Sequence, residues 1–362
     1  MEILKNWIRI VGVVVILLAA NRAFAQPVVS VNVSPTCVGE EVTFNNASTG
    51  TGSPIASIQW DFGDGEGSTA WSPTHIFTSP GTKNVDITLI DDNGDRTTDV
   101  ISVTIYPEAT TQFSITTTNR CVGVTQSFSN TSSITTGTYT SSWDFGDGGS
   151  STTKNPTHTY TVPGTYTVVL TTTSNNSCVS STSKEITIYP EPVSDFTRPL
   201  SVCLGEEAAF VNNSSITSGN VTYSWDFGDL SGTSTEVSPK YTYTSTGTYS
   251  VELTVTSVDG GCQDVITKTV NVYGVPAVDF SFSDICLDET ASFTNNTTVS
   301  TGTLSYAWRF GDGATSISPN PFHQYDNPGS YLVQLTATSS DGCEETLTKE
   351  INISPMPTAG FD

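Results

Sequence analysis

The sequence predicts an all-β protein: four tandem immunoglobulin-like, seven-stranded β-sandwich domains in an elongated array. Three observations predict it. One six-residue segment recurs four times at nearly constant spacing, apolar residues alternate with period two inside each repeat, and no segment beyond the first 25 residues sustains a 3.6-residue apolar period.

The chain opens with the signature of an export signal. Lys5 and Arg9 precede the apolar run from Ile10 to Ala20, and Ala23-Phe24-Ala25 is an A-x-A cleavage site. Cleavage there would leave Gln26 as the first residue. The apolar run is shorter than the roughly 20 residues that span a bilayer, and no later run replaces it, so the expectation is a secreted or cell-surface protein with no transmembrane segment after cleavage. All seven cysteines follow the leader and would meet an oxidising compartment.

The repeat is carried by Trp60-Asp61-Phe62-Gly63-Asp64-Gly65. It returns as Trp143 to Gly148, as Trp225-Asp226-Phe227-Gly228-Asp229-Leu230 and as Trp308-Arg309-Phe310-Gly311-Asp312-Gly313, with the tryptophans 83, 82 and 83 residues apart. A Cys-x-Gly element precedes each (Cys37, Cys121, Cys203; the fourth copy reads Cys286-Leu287-Asp288). A phenylalanine follows that element at 44, 128, 210 and 293. Downstream come a Pro-x-His/Tyr element, as in Pro156-Thr157-His158-Thr159-Tyr160, and a Gly-Thr-Tyr opening, as in Gly164-Thr165-Tyr166.

Within these blocks the period is two. Tyr166, Val168 and Leu170 alternate with Thr165, Thr167 and Thr171, and Tyr249, Val251, Leu253 and Val255 alternate with Ser250, Glu252 and Thr254. Such a strand buries one face and wets the other. By the same alternation Trp and Phe of the motif point inward and Asp61, Asp144 and Asp226 outward. Arg309 at the fourth such position suits solvent. Asp64, Asp147, Asp229 and Asp312 then stand in the turn, placed to accept from its backbone N–H groups. Leu230 lacks glycine's freedom to take φ > 0, so Gly232, one residue into the longer loop of repeat three, is expected to supply the left-handed conformation.

These motifs resemble the polycystic kidney disease (PKD) domain family, whose hallmark is the Trp-Asp-Phe-Gly-Asp-Gly strand and turn. The resemblance covers nearly all of residues 26–355, and the style of the repeats looks like that of large surface proteins of Bacteroidetes-type bacteria. It implies the sandwich fold and a role in protein or carbohydrate contact. Leu230 and Arg309 are the departures from the family pattern. The domains expected are a signal peptide at 1–25, PKD-like domains at 26–107, 108–190, 191–275 and 276–355, and the start of a further repeat at 356–362. The latter reads Pro357-Thr358-Ala359-Gly360-Phe361-Asp362, like the openings at Pro192 and Pro276, and points to a longer protein with domains downstream. Linkers such as Tyr189-Pro190-Glu191-Pro192 limit backbone freedom between domains, and four modules end to end would make a rod on the order of 130 Å.

Cys178, Cys262 and Cys343 fall at matching places after their tryptophans, where repeat one carries Asp95. Two pairings fit this spacing. One lies within repeats (Cys121–Cys178, Cys203–Cys262, Cys286–Cys343) and leaves Cys37 as a free thiol. The other crosses linkers (Cys178–Cys203, Cys262–Cys286) and leaves three thiols over. The first strands fewer cysteines and is the expectation.

Composition limits the function. Thirteen basic residues against 36 acidic ones, a formal charge of −23, leave no clustered cationic surface for nucleic acid. His75, His158 and His323 share one repeat position, one per module, and read as packing or hydrogen-bonding residues. No catalytic, cofactor-binding or metal residues are expected. The turn acids Asp61, Asp64 and Glu66 are the place where Ca²⁺ would bind if it bound, although their spacing is not that of an EF-hand loop. Trp71 is the aromatic to test for polysaccharide. The function expected is a non-catalytic extracellular scaffold contacting a protein or polysaccharide, not an enzyme. The alternative is the non-catalytic stalk of a larger secreted hydrolase, chitinase- or protease-like.

Overall fold

A computed structural model describes residues 26–356, so the leader and the segment from Pro357 lie outside the described residues. These form two compact units. The first holds residues up to Thr116, Ser127–Pro156 and Thr167–Lys184, and the second holds Thr117–Gln126, Thr157–Tyr166 and Glu185 onward. Repeat one lies wholly in the first unit, repeats three and four in the second, and repeat two contributes to both. The fold is all-β, with no helix among the described residues.

Repeat one shows the plan. Its larger sheet runs in the order Thr36–Cys37, Arg96–Tyr106, Gly81–Asp91, Ile55–Asp61, Gly67–Ser68. The opposite layer is built of short pairs: Val31–Asn32 with Asn45–Asn46, and Glu41–Thr43 with Thr74–Ile76. The last two segments before Ile55 are halves of one strand parted at Phe44, whose N–H donates to Pro73 instead. Repeats three and four have the same order, with Ser201–Cys203 and Ile285–Cys286 as the edge strand.

That edge strand is the single parallel element of each sheet. Cys37 stands beside Tyr106, Cys203 beside Tyr273 and Cys286 beside Ser354. The N-terminal cysteine of each repeat therefore sits at the far end of the strand that closes the repeat.

The alternating pattern fills separate cores around Trp60, Trp225 and Trp308, and in repeat two buries Phe128, Trp143, Phe145, Val168 and Leu170. All four motif tryptophans are buried. Phenylalanines of the short-strand layer close on the indoles, with ring centroids 5.5 Å apart for Phe44–Trp60, 5.9 Å for Phe210–Trp225 and 5.6 Å for Phe293–Trp308. Each indole N–H also has a fixed acceptor: Ala70, Thr153, Glu236 and Ser318 carbonyls at 2.9–3.0 Å. A buried indole donor without such a partner would cost what the packing gains. The extra residue of repeat three sits inside this loop, and the bond survives it.

Leu230 corrects the expectation about that loop. It adopts φ 73° itself, and Gly232 is not left-handed. Leu230 is fully exposed, so its side chain meets nothing while its backbone bears the unfavourable conformation. Gly232 is needed for space: a Cβ there would lie 2.4 Å from the Tyr241 ring.

Candidate functional site: inter-repeat bridges and the motif turn

The cysteines pair between repeats. Cys37 bonds Cys178 in the first unit, and Cys121 bonds Cys262 and Cys203 bonds Cys343 in the second, with Cα–Cα distances of 5.6, 5.6 and 5.7 Å. This overturns both pairings read from spacing. Cys37, expected free, is bridged; Cys286, expected to bond Cys343, is the free thiol among the described residues.

The physical reason is the parallel edge strand. In repeat three Cys203 lies beside Tyr273, the end of Gln263–Tyr273, while Cys262 immediately precedes its start. An eleven-residue strand holds its ends about 33 Å apart, and a disulfide needs Cα atoms within about 7 Å. No intra-repeat bridge can close. Each second cysteine sits instead in the hairpin turn of its repeat, beside the end of the preceding repeat: the Cys178 sulfur is 4.0 Å from the Tyr106 carbonyl and the Cys262 sulfur 3.9 Å from that of Tyr189.

A serine shapes the hairpin that presents the thiol. Cys178 N–H donates to Ser174 Oγ at 3.1 Å, Cys262 to Ser257 at 3.0 Å and Cys343 to Ser339 at 3.1 Å. In repeat one Asp91 and Asp95 make the same turn, Asp95 N–H donating to Asp91 Oδ1 at 2.9 Å. The first repeat has no predecessor among the described residues to bond, and the fourth has no described successor. That is how seven cysteines become three bridges and one thiol.

The junctions inside the second unit are tight. A Cβ on Gly260 would fall 2.3 Å from the Tyr189 ring, and one on Gly274 would fall 2.1 Å from Ser300 Oγ. Gly274 N–H also donates to Thr301 Oγ1 at 3.1 Å.

The motif turn is the other recurring constellation. Its second aspartate accepts from the turn, as Asp64 does from Glu66 N–H, Asp147 from Gly149, Asp229 from Ser231 and Gly232, and Asp312 from Ala314. The first aspartate caps the residue two further on, as Asp61 does Gly63, Asp144 Gly146 and Asp226 Gly228. The other carboxylate oxygen of the second aspartate takes a side-chain donor. His75 Nε2 lies 2.7 Å from Asp64, His323 Nε2 2.6 Å from Asp312, and the Tyr241 hydroxyl 2.5 Å from Asp229. These three rings stack on Phe62, Phe310 and Phe227, with centroids 4.1–4.2 Å apart.

The hydrogen bond from His75 holds Asp64 below the ordinary aspartate value, and that from Tyr241 does the same for Asp229. At Asp312 burial pushes upward, but the Ala314 N–H and His323 together bring the value down. Tyr241 moves up in turn because its hydroxyl is engaged by Asp229. Both carboxylate oxygens of Asp64, Asp229 and Asp312 are thus engaged by donors. Among the described residues no group of three or more His, Cys, Asp or Glu could hold a metal ion, and no helix is long and apolar enough to cross a membrane. Trp71 is about half exposed beside a shallow hollow with Ile55, Ser57 and Thr69. Phe322, on repeat four, is also exposed.

Sequence reasoning missed a recurring lysine. Lys268 Nζ reaches Asp195 at 2.7 Å and the Phe196 carbonyl, 5.1 Å over the Phe196 ring; Lys349 repeats this with Asp279 and Phe280; and Lys184 stands 5.3 Å over Phe113. Each pins the opening strand of its repeat, and their equal place six residues after the hairpin cysteines Cys178, Cys262 and Cys343 was the available signal.

A sandwich built on a buried Trp-x-Phe strand, capped by an aspartate turn and repeated in tandem, defines an immunoglobulin-like repeat protein. The chain belongs to the PKD domain family, whose profile matches residues 24–105, 106–188, 189–272 and 275–354. It is 40% identical over 67 residues to a microbial collagenase of Vibrio alginolyticus, covering 18% of this chain and 8% of that protein. It is 32% identical over 145 residues to the pre-pro-metalloprotease PrtV of Vibrio cholerae, covering 39% and 16%. The chain thus spans a small part of the length of these relatives. Among solved structures, the PKD1 domain of Vibrio anguillarum Epp shares 30% identity, covering 23% of this chain and 99% of that one, with a TM-score of 0.22.

Proposed function

We propose that the chain is a non-catalytic extracellular spacer that holds a partner-binding surface at a distance from the cell. The observation that carries this reading is the bridging of successive repeats: each disulfide joins a hairpin to the end of the repeat before it. Such covalent bracing serves an array whose job is spacing, and its formation requires the oxidising compartment that the leader would deliver it to. An extracellular protein or a polysaccharide is the partner proposed. The proposal needs no cofactor, and added Ca²⁺ at the motif turn is part of its test.

Exported protein should begin at Gln26, and purified chain should turn over neither protein nor polysaccharide substrates, with or without added Ca²⁺. Hydrolysis by a homogeneous preparation would overturn the reading.

The second reading is the stalk of a larger secreted hydrolase. It is favoured by the protease relatives in which similar segments occur. On either reading Cys286, in register with Cys37, Cys121 and Cys203, is proposed to receive the hairpin cysteine of a further repeat. The coding region beyond codon 362 tests both points: a catalytic domain there selects the stalk, and a repeat whose hairpin lacks cysteine removes the proposed partner of Cys286.

A further inference from the structure

We infer that the disulfides make the array an inextensible tether, one that transmits tension while most of its folded mass stays outside the path of the force. This holds whether the array ends in a binding surface or carries a catalytic domain.

The inference follows from connectivity. The three bridges interlace: Cys37–Cys178 overlaps Cys121–Cys262, which overlaps Cys203–Cys343. Tension entering before Cys37 crosses to Cys178 through the first bridge, follows the backbone to Cys203, and crosses to Cys343 through the third. Residues 38–177 and 204–342 hang in side loops, and Cys121–Cys262 ties those loops to each other. Trp60, Trp143, Trp225 and Trp308 all lie in the loops, while the sheet strands Val179–Ile188, Ser201–Cys203 and Glu344–Ser354 lie outside them.

The magnitudes decide the consequence. Only about 25 residues separate Cys178 from Cys203, and even fully extended they reach about 90 Å. With the two bridges spanning 5.6 and 5.7 Å, Cys37 and Cys343 can never be drawn more than about 100 Å apart. Without bridges the same stretch of roughly 306 residues would pay out about 1,000 Å. Bridges inside repeats would leave repeat one and every linker in the line of force. The observed pairing leaves there the closing strand Val179–Ile188 of repeat two, the linker after it, and the opening and edge strands Phe196–Thr197 and Ser201–Cys203 of repeat three.

Single-molecule stretching of the full exported chain, held by handles at its two ends, tests this. The oxidised protein should give no module-sized lengthening, and its gain between Cys37 and Cys343 should stay within the bound of about 100 Å. Reduction with a phosphine should release successive module-sized steps. Replacing both Cys37→Ser and Cys178→Ser should raise the bound to about 500 Å, since the shortest route then runs through Cys121–Cys262. Non-reducing peptide mapping of the same sample separates the ways of failing. Module-sized steps in oxidised protein whose three bridges map as above would overturn the inference itself, and other pairings on the map would overturn the connectivity on which it stands.

Discussion

Cys286 and Cys37 occupy the same position in their repeats, next to the end of the closing strand. They differ only in whether a hairpin from the next repeat reaches them. Labelling the unreduced 362-residue chain with a maleimide should therefore modify one cysteine, and digestion should place it at Cys286. A label on Cys37 would contradict the first bridge. The turn aspartates carry a second expectation. Asp64, Asp229 and Asp312 are held below the ordinary 3.8 in the folded state. A carboxylate depressed on folding adds stability that is complete above its unfolded value and is lost as pH falls through its folded one. Stability should be flat from roughly pH 7 to 5 and decline below about pH 4. Tyr241→Phe removes the largest cause at Asp229, so the Asp229 carboxyl resonance should titrate closer to 3.8 in that variant. An unchanged titration would show that the hydroxyl does not set it.

At the scale of the turn and strand, two residues bear conformations that glycine holds in the sister repeats. Leu230 has φ 73° where Gly65, Gly148 and Gly313 have 91–100°, and Asp288 has φ 72° where Gly39, Gly123 and Gly205 have 80–85°. Aspartate tolerates the left-handed region better than leucine, whose Cβ crowds the following carbonyl. Leu230→Gly should stabilise repeat three by up to about 1 kcal/mol, read as a raised denaturation midpoint, and Asp288→Gly should gain less. A loss of stability at Leu230→Gly would mean that the greater freedom of glycine in the unfolded chain outweighs the relief of strain. The loop around Leu230 was read correctly as longer by one residue. The residue taking positive φ was read wrongly: Leu230 takes it, and Gly232 serves instead to leave room for the Tyr241 ring of the strand Lys240–Thr242.

Across the whole molecule, the bridges join repeats whose hydrophobic cores remain separate. The cores around Trp60, Trp225 and Trp308 share no residue. Truncating a buried tryptophan costs about 3–5 kcal/mol, comparable to the whole stability of a small domain. Trp143→Ala should unfold repeat two and leave repeat four folded, giving separate calorimetric transitions. One shared collapse would show that the junctions couple the repeats more strongly than their cores allow. Each bridge closes a loop of 140 or 141 residues, worth about 5 kcal/mol in the chain-entropy model if it acted alone.

The sequence by itself determined the fold and its repetition. The period-two alternation, the Trp-x-Phe pairs that fill the cores and the aspartates of the turn are local patterns, and local patterns are legible wherever a strand must bury one face. The histidine position was legible as one of packing and hydrogen bonding, because one such residue per module leaves nothing for catalysis to converge on. Only the tertiary structure decided which cysteines meet. Spacing along the chain cannot distinguish the two ends of a strand, and the parallel edge strand sends each N-terminal cysteine about 33 Å from the hairpin of its own repeat. A disulfide forms where two Cα atoms come within about 7 Å, and that proximity arises between repeats, from residues more than a hundred positions apart.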